Sequence, residues 1–199
     1  IVAGLGAGDF ATEHQACGFP FARRVSRFEE ALNIIGPLLR GEQVTLDGEF
    51  HHVHEALLLP KGPRQRGPEI LIGSLLGGPR MLRLVAQYAD IWHAMLAFGD
   101  SRVHSFENAW RGVTEACEKH HRDIASVAAH VTVGVVVRDG SFAFPGARAL
   151  DASSQELADQ LCAYRELGVA TVSMVVEPCD DASLGSLAPV LADFTASTR

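Results

Sequence analysis

Short apolar runs alternate along this chain with longer segments whose apolar residues recur every three or four positions. The short runs predict buried β-strands, and the longer segments predict amphipathic helices. Near-continuous apolar strands that alternate with helices favour a parallel sheet covered by helices. The predicted strands are Ile1–Leu5, Glu69–Gly73, Asp90–Ala94, Val127–Arg138 and Thr171–Val176.

The fold class is therefore α/β, and two architectures fit five such strands. One is an open doubly wound sheet, and the other is the last five βα units of a (β/α)8 barrel. A complete barrel of that kind typically has about 250 residues, more than the 199 present here. The chain starts with Ile1, not Met, and Ile1–Leu5 reads as a strand already under way. We therefore expect a fragment of a longer chain.

The predicted helices carry recognisable ends. In Arg23–Arg40, Pro37 is expected to kink the helix or end it early, and Gly41 is expected to stop it. Asp47-Gly48 lies between two short runs and predicts a hairpin turn. Phe10–Pro20 is predicted as a loop with room for one helical turn. The remaining predicted helices are Pro79–Tyr88, Val103–His121, Ser154–Leu167 with Ser153 or Ser154 as its cap, and Leu184–Thr195.

Composition excludes several classes of function. The formal net charge of −7 argues against a nucleic-acid partner, which would require a basic face. No apolar run approaches the roughly 20 residues that cross a bilayer, so no membrane partner is expected. The four cysteines form no CxxC pair and are expected to be reduced thiols, with no metal site. These features predict a cytoplasmic protein.

Two glycine-bearing loops are the candidate binding segments. Gly4-Leu5-Gly6-Ala7-Gly8-Asp9 lacks the third glycine of the dinucleotide fingerprint, because Asp9 stands there. It fits either a tight turn or a surface on which a flat cofactor lies against the backbone. Gly73–Arg80 leads from a strand into a helix N-terminus, whose free amides and dipole favour an anion. The same loop also fits an ordinary βα connection, and a phosphate site is the preferred interpretation.

Other polar residues are weaker candidates. His51-His52-Val53-His54 lacks a third nearby metal ligand and is interpreted as an exposed hairpin strand. Trp92 and His93 end the third strand, where an aromatic ring fits either a cofactor ring or the core equally well. Glu13 and His14 follow the first strand. They fit either a solvated loop or a position at the carboxyl ends of the strands, where parallel barrels have their active sites.

Read in order, several motifs resemble the bacterial luciferase-like monooxygenase superfamily. They are IVAGLGAGD, E-x4-GFPF, R-x2-RFEEAL, the hairpin with DGEF, PEILIG and GGPRMLRLVAQYADIW. They cover residues 1–95. The resemblance implies a (β/α)8 barrel that begins here at its fourth strand, so that its N-terminal strands are missing. It implies one partial barrel domain over residues 1–199, with the family's insertion at about 41–68.

The resemblance also implies a cofactor. Members use reduced FMN with oxygen or the deazaflavin F420 for hydride transfer, and their loops after the fourth and fifth strands hold its phosphate. FMN-binding luciferases have an arginine where this chain has Ala7, whereas G-x-G-x-G-D is similar to the pattern of F420-dependent enzymes. We therefore expect F420, with FMN as the alternative. The expected cofactor-binding residues are Gly6, Ala7, Gly8, Gly73, Ser74, Gly77, Gly78 and Arg80.

The expected function is an oxidoreductase that oxidises or reduces a small organic substrate. A non-catalytic truncated barrel, or another α/β enzyme that binds a phosphorylated ligand at Gly73–Arg80, is the alternative. No complete catalytic set is assigned, because the family places such residues on the early strands. Since members of the family commonly pair, the resemblance implies a homodimer.

Overall fold

The computed structural model describes residues 1–74, 78–138, 140–152 and 155–196. Its contacts divide the chain into two compact units. Unit 1 comprises Ile1–Trp92 and Glu115–Val127, and unit 2 comprises His93–Thr114 and Ala128–Arg199. The boundary between them falls inside one strand and one helix, so each unit is described by itself.

Unit 1 contains the first parallel strands. β1 (Val2–Leu5) pairs in parallel with β4 (Glu69–Gly73), and the register matches Val2 with Glu69 and Leu5 with Ile72. β5 (Ile91–Met95) follows β4 in the sheet order and begins in this unit. Because β1 and β4 run in parallel, their carboxyl ends meet at one edge of the sheet.

The helices of unit 1 pack their apolar faces into its core. α1 (Ala11–Ala16) is short, whereas α2 (Arg24–Leu39) and α3 (Pro79–Tyr88) are full-length helices that pack on each other. The buried side chains of this core include Phe28, Leu32, Ile72, Leu84 and Val85. Phe28 and Leu32 are four residues apart on α2, which is the spacing from which that helix was predicted.

Pro37 does not end α2 at its own position, so of its two predicted effects, a kink or an early end, the early end is wrong. The helix continues to Leu39, and the Pro37 carbonyl accepts the backbone N–H groups of Arg40 and Glu42 at 3.0 Å each. A proline one turn before the end removes a single amide bond, and the helix then closes normally. Gly41 has a φ of +76° and terminates the helix as predicted.

The predicted hairpin is present, but its turn is longer than Asp47-Gly48. β2 (Val44–Asp47) and β3 (His52–Ala56) pair antiparallel with Asp47 opposite His52, which leaves four residues in the connection. The carboxylate of Glu30 on α2 accepts the backbone N–H groups of Glu49 and Phe50 at 2.9 Å and of His51 at 2.5 Å. This tertiary anchor, which local turn propensities do not contain, decides the loop length.

Unit 2 is built on β6 (Ala128–Val136), which pairs in parallel with β8 (Thr171–Glu177) along seven matched residues, from His130 with Thr171 to Val136 with Glu177. The end of β5 precedes β6 in the sheet order, and a short β7 (Leu150–Asp151) also pairs in parallel with β6. Val131, Val133 and Val135 of β6 are fully buried. The sequence analysis did not predict β7, since two residues carry no periodicity.

Three helices complete this unit: the first part of α4 (Val103–Lys119), α5 (Glu156–Glu166) and α6 (Asp181–Ala196). The hydroxyl of Tyr164, which is fully buried, donates to the Ser101 carbonyl at 2.8 Å. Gly168 has a φ of +78° and follows α5 as the predicted stop. The predicted caps Ser153 and Ser154 lie outside the described residues.

The α/β class with a mostly parallel sheet is confirmed, and each of the five predicted strands occurs within two residues of its predicted bounds at either end. Within the described part of the chain, no helix is both long and apolar enough to cross a membrane.

Candidate functional site

The carboxyl ends of β1 and β4 present exposed backbone. A Cβ added at Gly4 or Gly6 would meet no atom of the described residues within 4 Å. Gly73, the last residue of β4, is one step beyond the matched pair Leu5 and Ile72, as is Gly6, which directly follows β1. Glycines at these positions leave a surface on which a flat molecule could lie directly against the backbone.

Gly8 closes the loop after β1 and is required there. Its φ is +78°, and a Cβ at this position would lie 2.4 Å from Nε2 of His14. His14 belongs to α1, and its ring packs edge-on against Phe21 with 5.2 Å between ring centroids. From the sequence, Glu13 and His14 fit either a solvated loop or the end of the strands at which the active site is expected. The structure places both on α1, with Glu13 exposed and His14 partly buried against Gly8.

Two polar atoms near this loop have no partner. Among the described residues, Nδ1 of His14 and Nε of Arg24 are buried without a hydrogen bond. Arg24 stacks its guanidinium 4.3 Å from the Phe21 ring centroid and lies 3.9 Å from the Asp9 carboxylate. Buried polar atoms of this kind normally have partners, so these two mark unmet hydrogen-bonding capacity beside the loop. Among the described residues, Nε2 of His51 in the hairpin connection is buried without a partner as well. Arg24 opens the motif R-x2-RFEEAL, but the sequence alone did not mark it as a site residue, because the motif does not show which way its side chain points.

Ser74 is buried and already holds a structural bond. Its Oγ accepts the indole N–H of Trp92 at 3.0 Å, and Trp92 is only 1% exposed. Trp92 is thus a core residue, which decides between the two interpretations left open for it. The Ser74 hydroxyl can still donate its own proton to a ligand.

The helix start at α3 has the predicted form. Pro79 is the first helical residue, and Gly78 precedes it without a side-chain cap. The Gly78 carbonyl accepts the N–H groups of Met81 at 2.8 Å and Leu82 at 3.1 Å, and a Cβ at Gly78 would meet no described atom within 4 Å. The predicted residue Gly77 lies outside the described residues.

Arg80 points to α2. Its guanidinium donates to Glu29 Oε2 at 2.7 and 3.1 Å and to Ser26 Oγ at 2.8 Å, while Arg83 binds the other Glu29 oxygen at 2.7 Å. Burial alone would raise the pKa of Glu29, but its hydrogen bonds with Arg83 and Arg80 outweigh burial and lower it. These three bonds orient the Arg80 guanidinium toward α2, while its half-exposed side chain keeps further N–H groups for a coenzyme.

Unit 2 carries a row of hydrogen-bonded polar side chains on its strands. His93 Nε2 lies 2.8 Å from Thr132 Oγ1, and His130 Nε2 lies 2.8 Å from Ser173 Oγ. The two imidazole rings are 4.9 Å apart. Burial lowers the pKa of both histidines, and the charge of His130 lowers that of His93 further. Both rings are therefore held in the neutral form near pH 7.

Aromatic side chains fill the space beside β6. A Cβ at Gly134 would lie 2.6 Å from the Phe142 ring. Phe142 is 5.8 Å from Phe144, whose ring centroid is 4.2 Å from that of Phe98. This cluster was not predicted from the sequence, because Phe142 and Phe144 lie in loops without a periodic pattern and Phe98 ends a single 3₁₀ turn.

Comparison with known proteins assigns the family. The family model described as luciferase-like monooxygenase matches residues 1–144. The resemblance that the sequence motifs predicted is confirmed by this match.

Two curated relatives illustrate the range of activities. The phthiodiolone/phenolphthiodiolone dimycocerosates ketoreductase of Mycobacterium tuberculosis is 29% identical over 137 residues, which is 68% of this chain and 34% of that protein. The F420-dependent glucose-6-phosphate dehydrogenase of Gordonia bronchialis is 28% identical over 134 residues, 64% of this chain and 37% of that protein. The chain thus spans about a third of the length of these relatives.

A solved structure shares the fold. It is an F420-dependent secondary alcohol dehydrogenase in complex with an F420-acetone adduct. The TM-score is 0.76 at 14% identity, over 97% of this chain and 69% of that chain. At this identity the likeness establishes the fold alone.

Proposed function

We propose that this chain, which belongs to the family of luciferase-like monooxygenases, is part of an oxidoreductase that uses coenzyme F420 on a small organic substrate. In this proposal its parallel strands are the C-terminal five βα units of a (β/α)8 barrel. The observation that carries the proposal is the open backbone at the carboxyl ends of β1 and β4, where Gly4 and Gly6 have no described atom in front of them. Active sites of such barrels lie at that end of the strands.

The residues at these ends suit the phosphate-bearing part of a coenzyme. The free amides before the first bonded turn of α3 and its dipole favour an anion. The buried, unpartnered Nε of Arg24 and Nδ1 of His14 add polar groups beside the Gly8 loop. The residues proposed to contact the coenzyme remain Gly6, Ala7, Gly8, Gly73, Ser74, Gly77, Gly78 and Arg80.

F420 is favoured over FMN by two observations. This chain has Ala7 where FMN-binding luciferases have an arginine. Two of the proteins it resembles are described by name as F420-dependent, one by sequence and one by fold. FMN remains the second candidate, because the family also contains flavin enzymes.

When bound, F420 would exchange a hydride with the substrate, and the protein would orient the two molecules. The glycine backbone of β1 and β4 would carry the flat part of the coenzyme, with no side chain in its way. Ser74 Oγ would be held in place by the Trp92 N–H, so that its own proton points to one fixed acceptor direction. The small-molecule substrate, and a homodimeric assembly, are part of the same proposal.

The test is an equilibrium titration of the full-length protein with F420 and, separately, with FMN, followed by fluorescence. We expect saturable binding of F420 at least tenfold tighter than that of FMN. Tight binding of FMN without binding of F420 would replace the coenzyme in this proposal. Binding of neither would reject the oxidoreductase function.

A further inference from the structure

Unit 1 contains a pocket at the end of β4 that is opposite to Gly73 and to the proposed coenzyme site. It has a volume of about 350 Å³ and opens beside Pro68 and Ile70, where β4 begins, and beside Asp90, just before β5. This end of the strands is remote from the glycine backbone assigned to the coenzyme, since five strand residues span about 16 Å.

Three arginines from different segments line this pocket. Arg40 follows α2, Arg66 precedes β4, and Arg122 follows α4. The one carboxylate in the lining belongs to Asp90, and its Oδ2 accepts the backbone N–H of Ile70 at 2.9 Å. Three arginines against Asp90 in the lining and against Glu42, which pairs with Arg40 at 2.7 Å, leave the pocket positive in a chain whose net charge is −7.

The three guanidinium groups differ in how far they are already bonded. Arg40 uses Nε on Glu42 at 2.7 Å, while its Nη1 would lie 3.6 Å from a Cβ added at Gly36, in the pocket wall. Arg122 donates to the Ala86 carbonyl and to Ser126, and so also fixes the loop that carries it. Among the described residues, none forms a hydrogen bond or an ion pair with the Arg66 guanidinium, which is exposed.

The rest of the lining suits an organic molecule attached to the anion. Leu39, Pro68 and Ile70 supply apolar surface, and Tyr88 presents part of its ring while its hydroxyl donates to Asn33 at 2.6 Å. The volume is at the lower end of the range for sites that hold small metabolites. A bare inorganic ion would leave most of it unused.

We propose that this pocket binds a small phosphomonoester, with its dianionic phosphate on Arg66 and Arg40 and its carbon part against Leu39, Pro68 and Ile70. The planar fork of a guanidinium donates two parallel hydrogen bonds to phosphate oxygens, which an ammonium group does not. The site is separate from the proposed coenzyme site and does not depend on it.

The experiment is calorimetric titration of the full-length protein, first saturated with F420, with glycerol 3-phosphate and with glycerol as the uncharged control. We expect one binding event for the phosphomonoester and none for glycerol. The variant R66Q should bind at least tenfold more weakly. The matched control is R64Q, because Arg64 lies two residues away but pairs with Glu69 at 3.2 Å and does not line the pocket.

Two results would overturn the proposal. One is absence of binding to the unaltered protein, and the other is an equal loss in R64Q and R66Q, which would mean unspecific attraction to a basic loop. A failure of F420 to bind would leave this titration informative, since it can be repeated on the coenzyme-free protein. The two proposals therefore fail separately.

Discussion

Glycines on or directly after the strands have opposite surroundings in the two units. In unit 1, Gly4 and Gly6 face space that no described side chain fills, whereas in unit 2 the Phe142 ring occupies the space in front of Gly134. The same residue type therefore leaves a surface open in one unit and admits an aromatic ring in the other. An open glycine at the carboxyl end of a strand is where we expect a ligand from outside the chain, and a covered one points to internal packing.

The polar side chains follow the same division. In unit 1 the buried Nε of Arg24 and Nδ1 of His14 have no hydrogen-bond partner in the part of the chain that the structure describes. In unit 2, His93 and His130 each bond to a hydroxyl on a neighbouring strand. Unfilled space and unmet hydrogen-bonding capacity thus coincide in unit 1, which is why the coenzyme is assigned there.

The largest expected effect is on coenzyme binding by the substitution Gly6→Val. The new side chain would enter the space assigned to the coenzyme, and we expect affinity for F420 to fall at least 100-fold, or about 2.7 kcal/mol. Stability should change little, since no described atom is in the way. Fluorescence titration measures the affinity.

The matched control for Gly6→Val is Gly62→Val. Gly62 also has open space before it but lies in the exposed segment that precedes β4. If both variants bind F420 with normal affinity, the open space before Gly6 is not the coenzyme site. The contrast drawn between the two units would then not hold.

A second prediction concerns Ser74, which directly follows β4 in unit 1 and already accepts a hydrogen bond from Trp92. Ser74→Ala leaves the buried N–H of Trp92 without its acceptor, which should lower the free energy of unfolding by about 1–3 kcal/mol. Urea denaturation measures this change. Ser141→Ala, at an exposed serine of unit 2, should lower it by less than about 0.5 kcal/mol. Equal effects of the two substitutions would show that the bond between Ser74 and Trp92 is not structural.

The third prediction sharpens the contrast at Gly134. Gly134→Ala would force the Phe142 ring to move, because the added Cβ would lie 2.6 Å from it. Overpacking of this kind should lower the free energy of unfolding by about 1–2 kcal/mol. In the background of Phe142→Ala the same substitution should cost nothing, which a double-mutant cycle would measure. An unchanged cost in that background would mean that Phe142 does not cover Gly134.

The smallest expected effect is the pH dependence of unit 2. The pKa values of His93 and His130 are lowered in the folded state from the ordinary value of 6.5, with burial as the main cause. Below about pH 6.5 the unfolded chain therefore binds more protons than the folded chain, and stability falls as the pH falls. Above that pH both states are neutral at these groups, and the contribution is constant.

Urea midpoints at pH 5.5 and 7.5 measure this dependence. His93→Gln should make the loss of stability on acidification smaller. His54→Gln, at an exposed histidine of β3, should leave it unchanged. The same pH dependence in all three proteins would contradict the role assigned to burial of His93.

Periodicity in the sequence predicts most of the fold, because each strand and helix buries one face. Gly41 and Gly168 are found at helix ends as predicted, since a positive φ is a local requirement that glycine meets. The length of the turn between β2 and β3 could not be predicted, because it depends on the Glu30 carboxylate 19 residues earlier in the chain. Whether Pro37 ends α2 depends on how far it lies from the helix end. The periodic pattern does not locate that end to a single residue.

The candidate site was predictable only in part. The glycine pattern locates the loops, because it reports directly on backbone exposure. Side-chain directions are set by tertiary packing, so the partners of Arg80 and the burial of Trp92 were not available from the sequence. Arg24 belongs to a quoted motif, but only the folded structure shows its side chain against Phe21 and near Asp9. The aromatic residues around Phe142 belong to no motif, and only the folded structure brings the Phe142 ring beside Gly134.

The most direct test is a crystal structure of the full-length protein with F420 bound. We expect the flat ring of the coenzyme against the backbone of Gly4 and Gly6, and its phosphate at the start of α3 near Gly78. A coenzyme bound elsewhere, with the space before Gly6 empty or filled by another part of the protein, would contradict the assignment.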